Sequence, residues 1–129
     1  MFTGDKVLKK ISGGFGNTTF YIMIDGTAYG CGRNDCGQLG LNDTNDKVVP
    51  TKLNVTNVKD VVGGDLYTIF LLNDGTVWGC GSNYSGQLGL GDTANRLVPI
   101  QIIKVKPQVP ISPTAAVFAL LLSMHVTKA

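Results

Sequence analysis

The chain repeats itself. Asp25-Gly26-Thr27, Gly30-Cys31-Gly32, Asn34 and Gly37-Gln38-Leu39-Gly40-Leu41 return 49 positions later as Asp74-Gly75-Thr76, Gly79-Cys80-Gly81, Asn83 and Gly86-Gln87-Leu88-Gly89-Leu90. The register holds without a gap from Asp43-Thr44 and Val49-Pro50 onto Asp92-Thr93 and Val98-Pro99, and 16 of the 26 residues from 25 to 50 are identical to their partners. A period of this length belongs to solenoids, propellers and similar arrays, whose units cannot bury their apolar faces alone. Function in such arrays lies on a shared surface, so a single catalytic cluster is not the first expectation.

Composition narrows the class. A chain of 129 residues holds one modest domain, and 43% apolar with 16% charged residues marks it as globular. Eleven Lys and Arg give a net charge of only +2, and only Lys9-Lys10 are adjacent, so no basic stripe for direct nucleic-acid binding is present. The seventeen glycines recur at matching places in both copies, which marks turns and close backbone approaches. Of three cysteines, Cys31 and Cys80 share one repeat position, so reduced, buried thiols are expected instead of a disulfide framework. Reduced thiols point to the cytoplasm, with the nucleus as the alternative. The segment from Met1 to Lys10 has no apolar core, so no signal peptide is expected. The Asn-x-Ser/Thr triplets at Asn17, Asn42, Asn54 and Asn83 read as chance matches.

Each copy reads as four short strands. In the second, these are Val58 to Val62, Tyr67 to Leu72, Thr76 to Cys80 and Leu97 to Ile102. The dense apolar run Tyr67 to Leu72 is expected to be buried on both faces. Asn73-Asp74-Gly75 signals a tight hairpin, and Pro99 signals an edge strand. The first copy matches with Val7 to Ser12, Thr19 to Ile24, Thr27 to Cys31 and Val48 to Leu53. It carries one extra residue between Gly13-Gly14 and Asp25-Gly26, for which a small bulge or longer loop at Phe15-Gly16-Asn17 is expected. The expected fold is all-β: two four-stranded antiparallel blades of propeller type, spanning residues 1–53 and 54–103, an incomplete propeller.

Residues 104–129 break the pattern. Pro107, Pro110 and Pro113 make an extended linker. Ser112 and Pro113 then suit a helix start, so a short helix or a disordered tail follows over Thr114 to Val126. Its apolar stretch of about ten to thirteen residues falls short of the ~20 that span a bilayer, so no membrane span is expected. The segment is the one uncommitted apolar piece of the chain, and it is expected either to dock on an exposed blade face or to leave that face to association between chains.

With Asp74-Gly75-Thr76-Val77-Trp78-Gly79-Cys80-Gly81-Ser82-Asn83-Tyr84-Ser85-Gly86-Gln87-Leu88-Gly89-Leu90-Gly91-Asp92, its first-copy partner, and a later Val-Pro in each, the chain resembles the regulator-of-chromosome-condensation repeat family. The resemblance covers Val7 to Ile103. It implies that about seven such repeats close into a β-propeller, one face of which binds a partner. The family's best-known activity is guanine-nucleotide exchange on a Ran-type small GTPase together with chromatin binding; other members are adaptors within ubiquitin ligases, kinases and trafficking proteins. The fold therefore implies a platform and does not by itself imply exchange. The chain departs from the family pattern in three respects. Tyr67, and Asn17-Thr18-Thr19 in the first copy, stand where a histidine is common. Cys31 and Cys80 stand where a tryptophan is usual, and two blades do not close a ring.

Candidate chemical sites are few. The Gly-Gln-Leu-Gly segments lack the Gly-Lys-Ser/Thr of a phosphate loop, so their glycines serve the turn while leucine packs beneath. Cys31 and Cys36 are too widely spaced for a zinc pair, and His125 is the sole histidine, so neither a metal site nor a nucleophile–base dyad is expected. Trp78, Tyr29, Tyr67 and Phe70 read as core anchors. Positions that differ between copies inside the same loops are free of blade construction and are the candidates for partner contact: Arg33 against Ser82, Asp35 against Tyr84, Asp46 against Asn95, Lys47 against Arg96.

The sequence thus points to a protein-interaction module without covalent chemistry or cofactor, with Arg33, Asp35, Asp46, Lys47, Tyr84, Asn95 and Arg96 as its partner-binding candidates. The alternative is a guanine-nucleotide exchange factor, or part of one, for a Ran-type small GTPase. The partner is another protein, a small GTPase under the alternative, and self-association through exposed blade edges is a further expectation.

Overall fold

The computed structural model describes residues 6–103. The linker and tail expected over residues 104–129, with Pro113, the Thr114 to Val126 helix and His125, lie outside the described residues. Within them eight strands form two antiparallel four-stranded meanders. The first sheet is β1 (Leu8–Gly13), β2 (Thr18–Met23), β3 (Ala28–Gly32) and β4 (Lys47–Lys52). The second is β5 (Val58–Gly63), β6 (Tyr67–Leu72), β7 (Val77–Gly81) and β8 (Arg96–Ile103). No helix occurs among the described residues.

The hairpins form where the Asp-Gly pairs demand them. Gly26 and Gly75 take φ of 85° and 87°, a region that side chains resist. The preceding aspartate closes each turn. Asp25 Oδ1 accepts from the Thr27 amide at 2.9 Å and hydroxyl at 2.7 Å, and Asp74 Oδ1 accepts from Thr76 at 2.9 and 2.6 Å. Pro50 and Pro99 lie in β4 and β8, the edge strands of their sheets, where no ladder donor is needed.

The extra residue of the first copy lengthens the β1–β2 turn. Gly14 N donates to Thr18 O there, whereas Gly64 N donates to Tyr67 O, one residue closer. Asn17 and its repeat partner Leu66 both take left-handed φ, 62° and 67°. The register shifts of the sheets lie elsewhere, at Leu8/Lys10 and Val58/Asp60 in their first strands. The extra residue is therefore absorbed as turn length and makes no bulge of the ladder.

One expectation is corrected. The run Tyr67 to Leu72 is not buried on both faces: Thr68, Phe70 and Leu72 are buried, while Tyr67, Ile69 and Leu71 are half-buried. Among the described residues only the first face meets another sheet. Phe20 and Ile22 of β2, with Ala28, Leu39 and Leu53, pack against Val58, Val61, Phe70, Leu72 and Cys80. In the repeat, Phe20 corresponds to Ile69 and Phe70 to Tyr21. The core therefore joins one face of the first blade to the opposite face of the second. Phe70 is the one expected aromatic anchor that is fully buried; Tyr29, Tyr67 and Trp78 are half-buried.

Candidate functional site

Between β3 and β4 a long loop folds around one buried amide. Asn34, 0% exposed, donates from Nδ2 to Asp43 O, Asp43 Oδ1 and Asn45 O at 3.1, 2.8 and 3.0 Å, and its Oδ1 accepts from Leu39 N at 2.9 Å. Asn83 repeats this set in the second blade through Asp92, Ala94 and Leu88. A single side chain thus satisfies carbonyls on one limb of the loop and the amide beneath the Gly-Gln-Leu-Gly turn on the other.

The loop bounds an open cleft of about 700 Å³ on the outer face of the first blade. Asn17, Cys31, Gly32, Arg33, Asp35, Asp46, Lys47 and Val48 line it. Gly32 takes φ of 105°, and a Cβ there would collide with the Asn17 carbonyl, which accepts from Arg33 N at 3.0 Å. Arg33 grips Asp35 bidentately, Nε to Oδ1 at 3.0 Å and Nη2 to Oδ2 at 2.8 Å. That hydrogen bond holds the Asp35 carboxyl below its ordinary range and raises the guanidinium. Lys47 Nζ lies 3.0 Å from both carboxylate oxygens of Asp43, whose pKa falls chiefly through that contact.

Four partner-binding candidates therefore converge: Arg33, Asp35, Asp46 and Lys47 share the cleft. Tyr84, Asn95 and Arg96 hold the corresponding places on the second blade, with Tyr84 71% exposed. The notion that all these positions are free of construction duty is corrected. Asp46 Oδ1 accepts from Asn34 N at 2.8 Å, and Asn95 Oδ1 accepts from Asn83 N at the same distance. Aspartate and asparagine both supply the required oxygen, so the two copies differ in residue and agree in role. Lys47 with Asp43 and Arg96 with Asp92, at 3.0 and 2.7 Å, likewise make one ion pair in two versions.

On the second blade the corresponding cleft is full. The 37–40 loop of the first blade sits in it, and the Gln38 carbonyl accepts from the Thr68 hydroxyl at 2.6 Å with the Cys80 thiol at 3.5 Å. Asn42 N donates to Leu97 O at 2.9 Å alongside. Asn17, Cys31 and Val48 were not nominated from sequence: Cys31 is identical to its partner, and Asn17 and Val48 lie outside the loops from which the differing positions were drawn. The signal that could have found them is the 49-residue offset itself, which carries them onto Leu66, Cys80 and Leu97.

Among the described residues no three His, Cys, Asp or Glu side chains are grouped as a metal site. Burial raises the Cys36 thiol and pushes Cys80 up to about 12, so both remain protonated and poorly nucleophilic at neutral pH. All three cysteines are free thiols. No helix among the described residues is long and apolar enough to cross a membrane.

A sequence profile described as the regulator of chromosome condensation (RCC1) repeat matches residues 25–71 and 74–115, and a second profile of that description matches 8–38 and 58–87. The first profile starts at Asp25, so its unit runs from β3 to β6 and straddles the two sheets. Proteins described as probable E3 ubiquitin-protein ligase HERC4, from Homo sapiens and Rattus norvegicus, are each 43% identical over 47 residues. That stretch is 36% of this chain and 4% of theirs, so the chain spans only a small part of the curated relatives it matches. Yeast RCC1 (Prp20) in its crystal structure with Kap60 aligns at a TM-score of 0.73 and 23% identity, covering 81% of this chain and 26% of that one. Prp20p from Saccharomyces cerevisiae, in a structure reported with its binding properties to Gsp1p and histones, gives 0.69 and 25% over 81% and 27%. Human WBSCR16 gives 0.67 and 26% over 80% and 27%.

Proposed function

The chain belongs to the regulator of chromosome condensation (RCC1) repeat family, and from that premise we propose that it is a protein-interaction module, a platform of propeller blades that performs no covalent chemistry. One observation carries this reading. The cleft on the first blade is open, and its counterpart on the second blade already holds a polypeptide loop. A surface of this shape and donor pattern therefore suits peptide segments. Its rim charges, Arg33 with Asp35 and Lys47 with Asp43, are exposed or half-exposed ion pairs. Such pairs contribute little to stability, and they set specificity and association rate when a complementary surface approaches. Cytoplasm or nucleus is the proposed compartment, on the strength of three free thiols.

The test is retention of binding partners by the full chain and by Val48→Asp, a change at a lining residue that is 95% exposed. Proteins held by the native chain and released by the variant support the platform. Equal retention by both would show that the cleft is not the binding surface.

The narrower reading is guanine-nucleotide exchange on a Ran-type small GTPase. It draws support from the likeness to Prp20p, whose structure was reported with its binding to Gsp1p; the alignment spans 27% of that chain. Release of labelled nucleotide from such a GTPase, well above the intrinsic rate when this chain is added, would favour exchange over a passive platform.

A further inference from the structure

The contact that joins the two blades has two halves, and the chain carries a second, unused copy of each. In the used copy the 37–40 loop is wholly buried, and a Cβ at Gly37 would lie 2.9 Å from Leu97 Cα. The 86–89 loop has the same four residues, Gly-Gln-Leu-Gly, with left-handed φ of 73° and 67° at its glycines. Yet Gly89 is exposed, Gly86 is half-buried, and the nearest atom to a Cβ at Gly86 is Asp92 O at 3.9 Å. The loop has the shape of an insert, and among the described residues it has nothing to insert into. Among the described residues no loop fills the receiving half either. Thr19, Cys31, Val48 and Pro50 stand 49 positions before Thr68, Cys80, Leu97 and Pro99, the residues that hold the 37–40 loop. Both donors to the seated carbonyl are thus present again, as the same residue types.

We propose that the occupant of the open cleft is the 86–89 loop of a second copy of this chain, joined head to tail. The proposal rests on the reading of the cleft as a protein-binding surface and names its partner. Charge fits the arrangement. Lys10 Nζ pairs with Asp60 Oδ1 at 2.6 Å across the existing contact. The two residues hold the same place in successive blades, Lys10 opposite Ile22 and Asp60 opposite Leu71. A head-to-tail contact therefore sets Asp60 of one copy against Lys10 of the next, opposite charges again; a like pair would have opposed docking. Apolar surface fits too. Ile69 and Leu71 are half-buried where Phe20 and Ile22, their counterparts at the existing contact, are 0% exposed. On the first blade Leu8 and Ile11 are 45% and 57% exposed where Val58 and Val61 are buried. One association covers both deficits. Because the joined surfaces differ, the contact is heterologous, so copies add until a ring closes or a filament grows.

Light scattering of the full chain across a concentration series tests this with two variants. Val48→Asp puts a charge in the lining of the cleft at a fully solvated position. Gly86→Asn keeps the left-handed turn, which asparagine tolerates, but adds atoms where Gly37 has no room for any. Both should keep the native circular dichroism and, at concentrations too low for association, the native melting midpoint. The native chain should show a mass above 13.7 kDa that rises with concentration, and each variant alone should stay at 13.7 kDa. An equimolar mixture should form a species of twice 13.7 kDa and nothing larger, because Val48→Asp retains the loop and Gly86→Asn retains the cleft. A native chain that stays monomeric, a variant that still associates, or a mixture that stays monomeric overturns the proposal. Monomeric behaviour with other proteins still released by Val48→Asp would overturn the self-contact while leaving the interaction module standing.

Discussion

Phe20 and Phe70 meet edge to face across the two sheets, with ring centroids 6.3 Å apart and planes at 83°, although they are not partners in the repeat. Phe20 lies on one face of its blade and Phe70 on the opposite face of the next. The pair is thus the signature of an array built by translation and rotation, in which unlike faces of like units join.

Truncating Phe70 removes the largest fully buried side chain that the second blade gives to this contact. Phe70→Ala should cost about 3–5 kcal/mol in chemical denaturation, because the ring is 0% exposed and its site is walled by two sheets that cannot both collapse inward. A loss below 1 kcal/mol would mean that the two blades do not share a core.

The two Asp-Gly turns should differ in tolerance. Gly75→Val forces a β-branched residue to positive φ and should cost about 1–2 kcal/mol. Gly26→Val should cost more, since its Cβ would also lie 2.9 Å from Asn57 Cα of the next blade. Equal melting midpoints for both variants and the native chain would remove the turn assignment.

Asn34→Ala strips four hydrogen bonds from a fully buried site and leaves the Leu39 amide without its acceptor. The expected loss is about 2–3 kcal/mol, with amide exchange at Leu39 accelerated. Native-like protection of Leu39 in the variant would contradict the role assigned to this side chain.

Acid should weaken the first hairpin through Asp25. The Thr27 hydroxyl, the Thr27 amide and Lys6 lower its pKa from 3.8 to about 2. A carboxylate depressed on folding contributes stability that is fully present above the unfolded value and is lost as pH falls through the folded one. The difference in stability between the native chain and Asp25→Asn should therefore be constant above about pH 5 and shrink between about pH 4 and 2. A difference that does not change with pH would show that the charge is irrelevant to the turn.

Thiol labelling should separate the cysteines. Cys80 is buried and its pKa is pushed up to about 12, so a soluble alkylating reagent should reach it only upon unfolding, after Cys31. Labelling of both at one rate in the folded chain would place Cys80 outside the core.

Strands, hairpins and the Gly-Gln-Leu-Gly turns were legible in the sequence because their causes are local. Positive φ at Gly26 and Gly75, an aspartate closing the turn, and Asn34 or Asn83 gathering a loop all act within one unit, so the 49-residue echo transmits them unchanged. Even the unlike pair Asp46 and Asn95 repeats, since either side chain offers the one oxygen the loop needs. Tertiary structure alone decided burial. The loops at 37–40 and 86–89 are identical in sequence, yet one is enclosed and the other open, and Tyr67 to Leu72 hides one face where its run of apolar residues foretold two. Backbone conformation answers to neighbours along the chain, whereas burial answers to what stands opposite in space, and here, among the described residues, the opposite surface exists for one face of each blade only.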